Sequence, residues 1–324
     1  MKKGVIKKIG YYALHVIGFI LLYLVLRNFD WPGFFDLFSS FSVLDFLAGF
    51  GLLVFVYLFK SLRWMLINRT FGIRISYGTT LIYFMVAGFL SVITPGRIGE
   101  FAKIFFIQRK AKVSGVLATT SVVLDRVWDV LVLTLLGGVG ALLILGGFQI
   151  NTLTLLIIIG FFLLSLAIIL FPSVIFVPMK FLFRKKEKLS AELDQVFDSW
   201  KKNALKLFLP GFFTTLAAFL ALALIPLIFT GKLGQEVGII PSISAVSISN
   251  MLAFLPVTVA GVGTRELVFS EVWKLLEYTT ESAITISTAY FICNYLGSVL
   301  LGGVTYALWF RKHFSIREIR ATDS

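Results

Sequence analysis

Charge is scarce in this chain, and its absence from long stretches excludes a soluble fold. Residues 130–179, 207–231, 237–264 and 282–310 contain no Asp, Glu, Lys or Arg. Only 15% of the 324 residues are charged while 58% are hydrophobic; soluble domains hold about a quarter charged and about half apolar. A membrane-spanning helix takes about 20 apolar residues, so the 130–179 run holds one full crossing and part of another. Cysteine is nearly missing. Cys293 stands alone, which excludes an intramolecular disulfide and any metal site built from several cysteines. The two histidines, His15 and His313, have no metal-ligand neighbours. There is no Walker-type glycine loop and no Ser/His/Asp set. The sequence therefore predicts a single all-α, polytopic integral membrane domain over 1–324, with no catalytic residues, no metal and no cofactor.

Acidic residues are also few: 17 against 30 Lys and Arg, for a net charge of +13. The basic residues lie between apolar runs, as in cytoplasmic loops facing anionic lipid, and not in the pattern of a nucleic-acid surface. Placing those clusters on one side predicts a multi-pass protein of the cell membrane with both termini cytoplasmic. Six spans follow, over about 9–26, 44–62, 114–136, 152–177, 207–230 and 283–310, with a basic tail at 311–324. The run 75–96 does not fit as a seventh. A full crossing would put Arg97, Lys103, Arg109, Lys110 and Lys112 outside. A re-entrant element over about 75–110 fits better, turning at Thr94-Pro95-Gly96 and returning through Ile98 to Gln108. Backbone breaks at such depth are tolerated only where protein or a wet cavity covers them. A second broken segment, about 237–277, carries Pro256, Gly261 and Gly263 and is predicted to enter from the opposite face. Between 185 and 206, Leu193, Val196, Phe197, Trp200 and Ala204 recur at helical spacing, followed by Leu207. They predict an amphipathic helix on the cytoplasmic surface, joining two spans.

The two broken segments align. Phe89, Leu90, Val92 and Gly96 match Phe254, Leu255, Val257 and Gly261 at a constant offset of 165 residues. After the shared glycine each copy has a second glycine (Gly99, Gly263), an arginine (Arg97, Arg265) and a glutamate (Glu100, Glu266). Corresponding broken segments of opposite orientation point to a transporter site near the bilayer midplane. Close helix packing would explain the glycines alone, but not the charged pair attached to each copy.

Arg97, Glu100 and Lys103 fall at three-residue intervals on one helical face, beside a half-helix start whose free N–H groups favour anions. An arginine fork suits phosphate or carboxylate. Arg97, Lys103 and Arg265 are thus the candidate ligands for a lipid head group; the alternative is an interfacial ion pair with no ligand. The third span carries Asp125, Arg126 and Asp129. Asp125 lies roughly 18 Å along it from Val113 at about 1.5 Å per residue, where an ionised group survives only if paired or wet and marks a functional site by default. Pairing with Arg97 or Arg265 is expected, with Glu100 and Glu266 completing a network able to rearrange during transport. Pro95, Gly96, Gly99, Pro256, Gly261 and Gly263 are the expected helix breaks.

Thr94-Pro95-Gly96-Arg97-Ile98-Gly99-Glu100, Asp125-Arg126-Val127-Trp128-Asp129 and Gly261-Val262-Gly263-Thr264-Arg265-Glu266, in this order, resemble the flippase-like family that includes the transmembrane region of lysylphosphatidylglycerol synthases. The resemblance covers about residues 10 to 310. It implies translocation of a lipid between leaflets, with an anionic phospholipid or polyprenyl-phosphate-linked lipid as partner. Thirteen residues follow Arg311, so the resemblance is to stand-alone members and implies no aminoacyl-transfer chemistry. Where the family often has Glu before the central arginine, this chain has Asp125, which keeps the charge. Two other classes stay open: a membrane-embedded enzyme of lipid or polyprenyl-sugar modification, and an accessory subunit docking a separate lipid-modifying enzyme through the 180–206 segment. Oligomerisation is left open as well.

Overall fold

A computed structural model describes residues 30–144, 152–183, 187–254 and 261–310. The expected first span (9–26), Pro256 and the basic tail (311–324) lie outside the described residues. Those described are helical with no strand. Four helices are long and apolar enough to cross a membrane: Val43–Thr70, Gly115–Ile144, Leu189–Lys232 within a longer helix, and Thr280–Leu308. Shorter apolar helices cover Tyr77–Val92, Leu155–Leu170 and Ile239–Leu252. The chain is an α-helical, polytopic membrane protein.

The helices are α1 (Trp31–Ser39), α2 (Val43–Thr70), α3 (Tyr77–Val92), a 3-10 segment (Pro95–Phe101) leading into α4 (Ala102–Ala111), α5 (Gly115–Ile144), α6 (Thr152–Leu170), α7 (Ser173–Phe183), α8 (Glu187–Lys232), α9 (Ile239–Leu252) and α10 (Thr264–Lys274). The last stretch is α11 (Thr280–Phe291), a π turn (Ile292–Leu296) and α12 (Gly297–Thr305). Ser42 starts α2 with a capping box: the Asp45 N–H donates to Ser42 Oγ, and Asp45 accepts from the Ser42 N–H at 2.8 Å, satisfying two otherwise orphaned donors.

α2, α5 and α8 form the frame. Asp45 faces Lys232, Lys60 lies over Phe219, Arg63 donates to Thr215, and Phe71 packs on Trp200. One series rises as the other falls, so α2 and α8 are antiparallel. Trp64 with Ser121, Arg63 with Asp125 and Lys60 with Asp129 show the same for α2 and α5. The end of α2 and the start of α5 therefore share one end of the bundle, and α3–α4 leaves and returns there. The α9–α10 hairpin starts and finishes at the other end, the one marked by Asp45 and Lys232. There Trp273 Nε1 donates to Gln235 at 3.2 Å and the Glu236 N–H donates to Tyr278 Oη at 2.9 Å.

Two boundaries differ from those the sequence predicts. α2 continues eight residues past 62, so Lys60 and Arg63 lie inside the helix and not at its end. The 190–207 stripe is continuous with the following span in one helix of 46 residues. At about 1.5 Å per residue that helix is about 69 Å long, more than the roughly 45 Å of a bilayer with its head groups. Its charged first third therefore projects beyond the hydrocarbon, and its apolar face is covered by protein: Leu193, Val196, Trp200, Ala204 and Leu207 are all buried. Trp200 Nε1 donates to the Ile169 carbonyl at 3.0 Å, its ring meeting Phe71 and Phe176. A protein neighbour satisfies the stripe better than a lipid surface because the indole N–H also gains an acceptor. Only Phe197 of that stripe is partly exposed.

Small residues set the close contacts. A Cβ on Gly140 would lie 2.0 Å from Ser244 Oγ, so α5 and α9 approach along a glycine–serine seam of the kind that lets membrane helices associate. A Cβ on Gly99 would meet the Leu90 carbonyl oxygen at 2.2 Å, and there the 3-10 segment of the first hairpin lies directly on α3.

Candidate functional site

The site begins with two carboxylates on one face of α5. Asp125 and Asp129 are four residues apart, so they lie on the same side of the helix, and both are fully buried. Opposite them, α2 presents Lys60 and Arg63. Arg63 spans both acids: Nε and Nη2 donate to Asp125 at 2.9 and 2.6 Å, and Nη1 donates to Asp129 and to Thr215 Oγ1 of α8, each at 2.8 Å. Lys60 Nζ lies 3.2 Å from Asp129 and over the Phe219 ring at 4.2 Å. From α4, Lys103 Nζ reaches Asp125 at 2.6 Å and Glu100 at 3.7 Å, with Phe84 4.2 Å below it. Arg126 closes the group, meeting Glu100 at 2.5 Å and both aspartates at 2.9 Å. Pairing and bidentate geometry are what allow such charges among apolar helices.

The hairpin turn aims the next residue. Gly96 and Arg97 both adopt left-handed backbone, φ 59° and 56°. This is free for glycine, but costs about 1–2 kcal/mol at a residue with a Cβ. The turn is held by Thr94, whose Oγ1 donates to the Leu90 carbonyl at 2.8 Å and accepts from the Gly99 N–H at 2.7 Å. Arg97 is thereby directed across the bundle. Its Nη2 donates to Asn250 Oδ1 of α9 at 2.9 Å and to Tyr295 Oη at 3.1 Å. Among the described residues its hydrogen-bond partners are all neutral.

In the second hairpin, Gly261 and Gly263 take φ 74° and 87°, and Glu266 caps α10 by accepting from the Gly263 N–H at 2.7 Å. Arg265 pairs with Glu266 and donates from Nε to Ser287 at 3.0 Å. Its Nη1 is buried without a hydrogen-bond partner among the described residues. The two hairpin arginines meet at one ring: the Arg97 and Arg265 guanidinium carbons lie 5.6 and 5.4 Å from the Tyr295 centroid. Tyr295 and Asn294 sit in the π turn of the last helix, a local widening frequent at functional sites. Asn250 and Asn294 both donate to Tyr290 Oη at 2.9 Å, which fixes the surrounding amides. A polar cavity of about 60 Å³ opens here, lined by Lys60, Arg97, Glu100, Asn250, Tyr295 and Ser298 among others. It has room for a few waters.

Glu100, Lys103, Asp125, Arg126 and Asp129, all singled out in the sequence, thus come together. Lys103 lies inside the network, fully buried on Asp125, and does not line the cavity. Arg97 and Arg265 are not the partners of the α5 aspartates, as the sequence reading expects; Arg63, Lys60, Lys103 and Arg126 are. Lys60, Arg63, Thr215 and Tyr295 carry the site without having been singled out. The signal for the first two was a three-residue spacing on an apolar helix that continues beyond them as Trp64, Met65, Leu66 and Ile67.

Among the described residues, ten Asp, Glu, Lys and Arg side chains held between apolar helices give this membrane protein a buried polar site. The chain belongs to the lysylphosphatidylglycerol synthase TM region family, whose model matches residues 12–302. That family is a membrane domain linked to lipid modification and flipping. No curated protein and no solved structure matches the chain significantly.

Proposed function

We propose that this protein moves the polar head of an anionic or phosphate-bearing lipid, a phospholipid or a lipid-linked sugar, between leaflets of the cell membrane. The observation that carries this reading is the convergence of Arg97 and Arg265, one from each hairpin, on Tyr295 beside a polar cavity inside an apolar bundle. Both guanidiniums retain capacity for a ligand. Among the described residues Arg97 donates only to neutral acceptors, and Arg265 Nη1 has no hydrogen-bond partner. Phosphate oxygens match such forks.

The hairpins are re-entrant elements related by an inverted repeat. Support comes from their return to opposite ends of the frame and from the aligned Gly, Arg and Glu residues. Six spans with both termini cytoplasmic complete this topology. Head groups pass through the cleft between the hairpins, and Glu100, Asp125, Arg126, Asp129 and Glu266 form the charged surroundings that rearrange as it opens to either side. No reacting group is required, so the protein acts as a transporter and not as an enzyme; a separate lipid-modifying enzyme is its candidate partner.

Arg97→Ala tests this. In proteoliposomes carrying a head-group-labelled phospholipid, transfer to the outer leaflet falls at least about tenfold, which corresponds to roughly 1.4 kcal/mol, while the purified variant stays monodisperse. Unchanged transfer removes Arg97 from the mechanism. Chemical turnover of a lipid donor by the wild-type protein would favour the enzyme reading instead.

A further inference from the structure

The buried charges do not balance. Around α5, four cations (Lys60, Arg63, Lys103, Arg126) face three carboxylates (Glu100, Asp125, Asp129). Arg265 and Glu266 neutralise each other, and Arg97 is held by an amide and a phenol. Among the described residues, with the Asp45–Lys232 pair at the bundle end neutral as a unit, the interior therefore carries two positive charges more than its carboxylates cancel. An uncompensated charge in a low-dielectric interior is expensive, and the remedy is a counter-charge.

The excess is also localised. Arg63, Lys103 and Arg126 are each tied to at least two carboxylates. Lys60 reaches one, Asp129, which it shares with Arg63 and Arg126. The two cations with least compensation are Lys60 and Arg97, and both line the same small polar cavity. The carboxylate in the lining, Glu100, is paired with Arg126 and Lys103, and neutral hydrogen-bonding groups stand beside it, among them Asn250, Tyr295 and Ser298.

We propose that this cavity takes a phosphate monoester carried on a lipid, its two negative charges on one phosphorus clasped between Lys60 and Arg97. A monoester has a second ionisation near pH 6 and carries about −1.5 to −2 at neutral pH, whereas a phosphodiester head carries one charge. The inference rests on the lipid-transport reading and narrows its substrate class. Lys60 thereby acts as a specificity-determining ligand, separate from the structural role of Lys103 and Arg63.

The test is competitive lipid binding to the full-length protein in detergent, read by native mass spectrometry. The probes are dioleoyl phosphatidic acid, phosphatidylglycerol and phosphatidylcholine, with soluble glycerol 3-phosphate as a further competitor. Phosphatidic acid should exceed phosphatidylglycerol by about tenfold, the effect of roughly 1.4 kcal/mol, with phosphatidylcholine weakest. Lys60→Gln should bring the first two within about twofold, and Lys60→Arg should keep them apart. Equal binding of the two anionic lipids by wild type overturns the proposal, and that comparison needs no variant to fold. So does an unchanged ratio in Lys60→Gln, which would assign the preference to surface basic residues. Displacement of phosphatidic acid by glycerol 3-phosphate at equal concentration would assign the site to soluble phosphate esters and overturn the lipid part. Leaflet transfer is measured separately. Selective binding without transfer leaves this proposal standing and sinks the transport reading; transfer of phosphatidylglycerol as fast as phosphatidic acid does the reverse.

Discussion

The two hairpins share a sequence pattern yet differ in how they are held. The first, α3–α4, is wired into the bundle by ions: Glu100 and Lys103 join Asp125 and Arg126 of α5, and through them Arg63 and Lys60 of α2. The second, α9–α10, has among its described residues one buried pair, Arg265–Glu266, one exposed pair, Lys274–Glu271, and otherwise hydrogen bonds and packing such as those with Ser287, between Asn250 and Tyr290 or Arg97, and along the glycine–serine seam with α5. Moving the first would separate buried opposite charges, which is costly. Sliding the second would exchange packing and neutral hydrogen bonds of about 0.5–1.5 kcal/mol each. The difference teaches that two segments of matching sequence can be held unequally, one by buried ions and the other by neutral contacts. On the proposed transport reading, the second hairpin is the element expected to move.

Substitutions can break that contrast. Asp125→Asn has the largest expected effect, because it leaves Arg63 and Lys103 buried without their shared carboxylate; the loss should be about 3–5 kcal/mol, visible as a large drop in the unfolding temperature of the detergent-solubilised protein. Wild-type stability in Asp125→Asn would show that the ionic wiring is decorative. Gly99→Ala comes next. Its Cβ would sit 2.2 Å from a backbone oxygen that cannot rotate away, forcing the first hairpin open at a cost of about 1–3 kcal/mol. Gly303→Ala, where nothing lies within 4 Å, serves as the control and should stay within about 1 kcal/mol of wild type. Ser244→Ala should have a smaller effect, about 1 kcal/mol, since it removes from the second hairpin one neutral hydrogen bond, to the Ile240 carbonyl. A Ser244→Ala loss as large as that of Asp125→Asn would erase the distinction between the hairpins.

Much of this arrangement was legible in the sequence, for stated reasons. The breaks at Gly96 and Gly261 stood out because glycine interrupts apolar runs, and both residues take positive φ. Asp125 and Asp129 stood out because charge inside a long apolar helix needs a partner. What the residues did not disclose was the partner. Lys60 and Arg63 resembled the basic margin of a span ending near 62, a pattern that positive-inside asymmetry produces anyway. Only the continuation of α2 to Thr70 puts them opposite the aspartates. Tyr295 was hidden differently: an aromatic in an apolar run reads as lipid-facing, and the π turn that directs it inward has no sequence signature. The 193–207 stripe gave the right helix and the right buried face, but periodicity cannot say whether lipid or protein covers that face.

The most direct measurement is a cryo-EM reconstruction of the protein in nanodiscs containing phosphatidic acid. The account predicts phosphate density in the cavity within hydrogen-bonding distance of Arg97, facing Lys60 and the Tyr295 hydroxyl, with acyl chains leaving between the two hairpins. Lipid density confined to the outer surface, with that cavity holding only water, would contradict it.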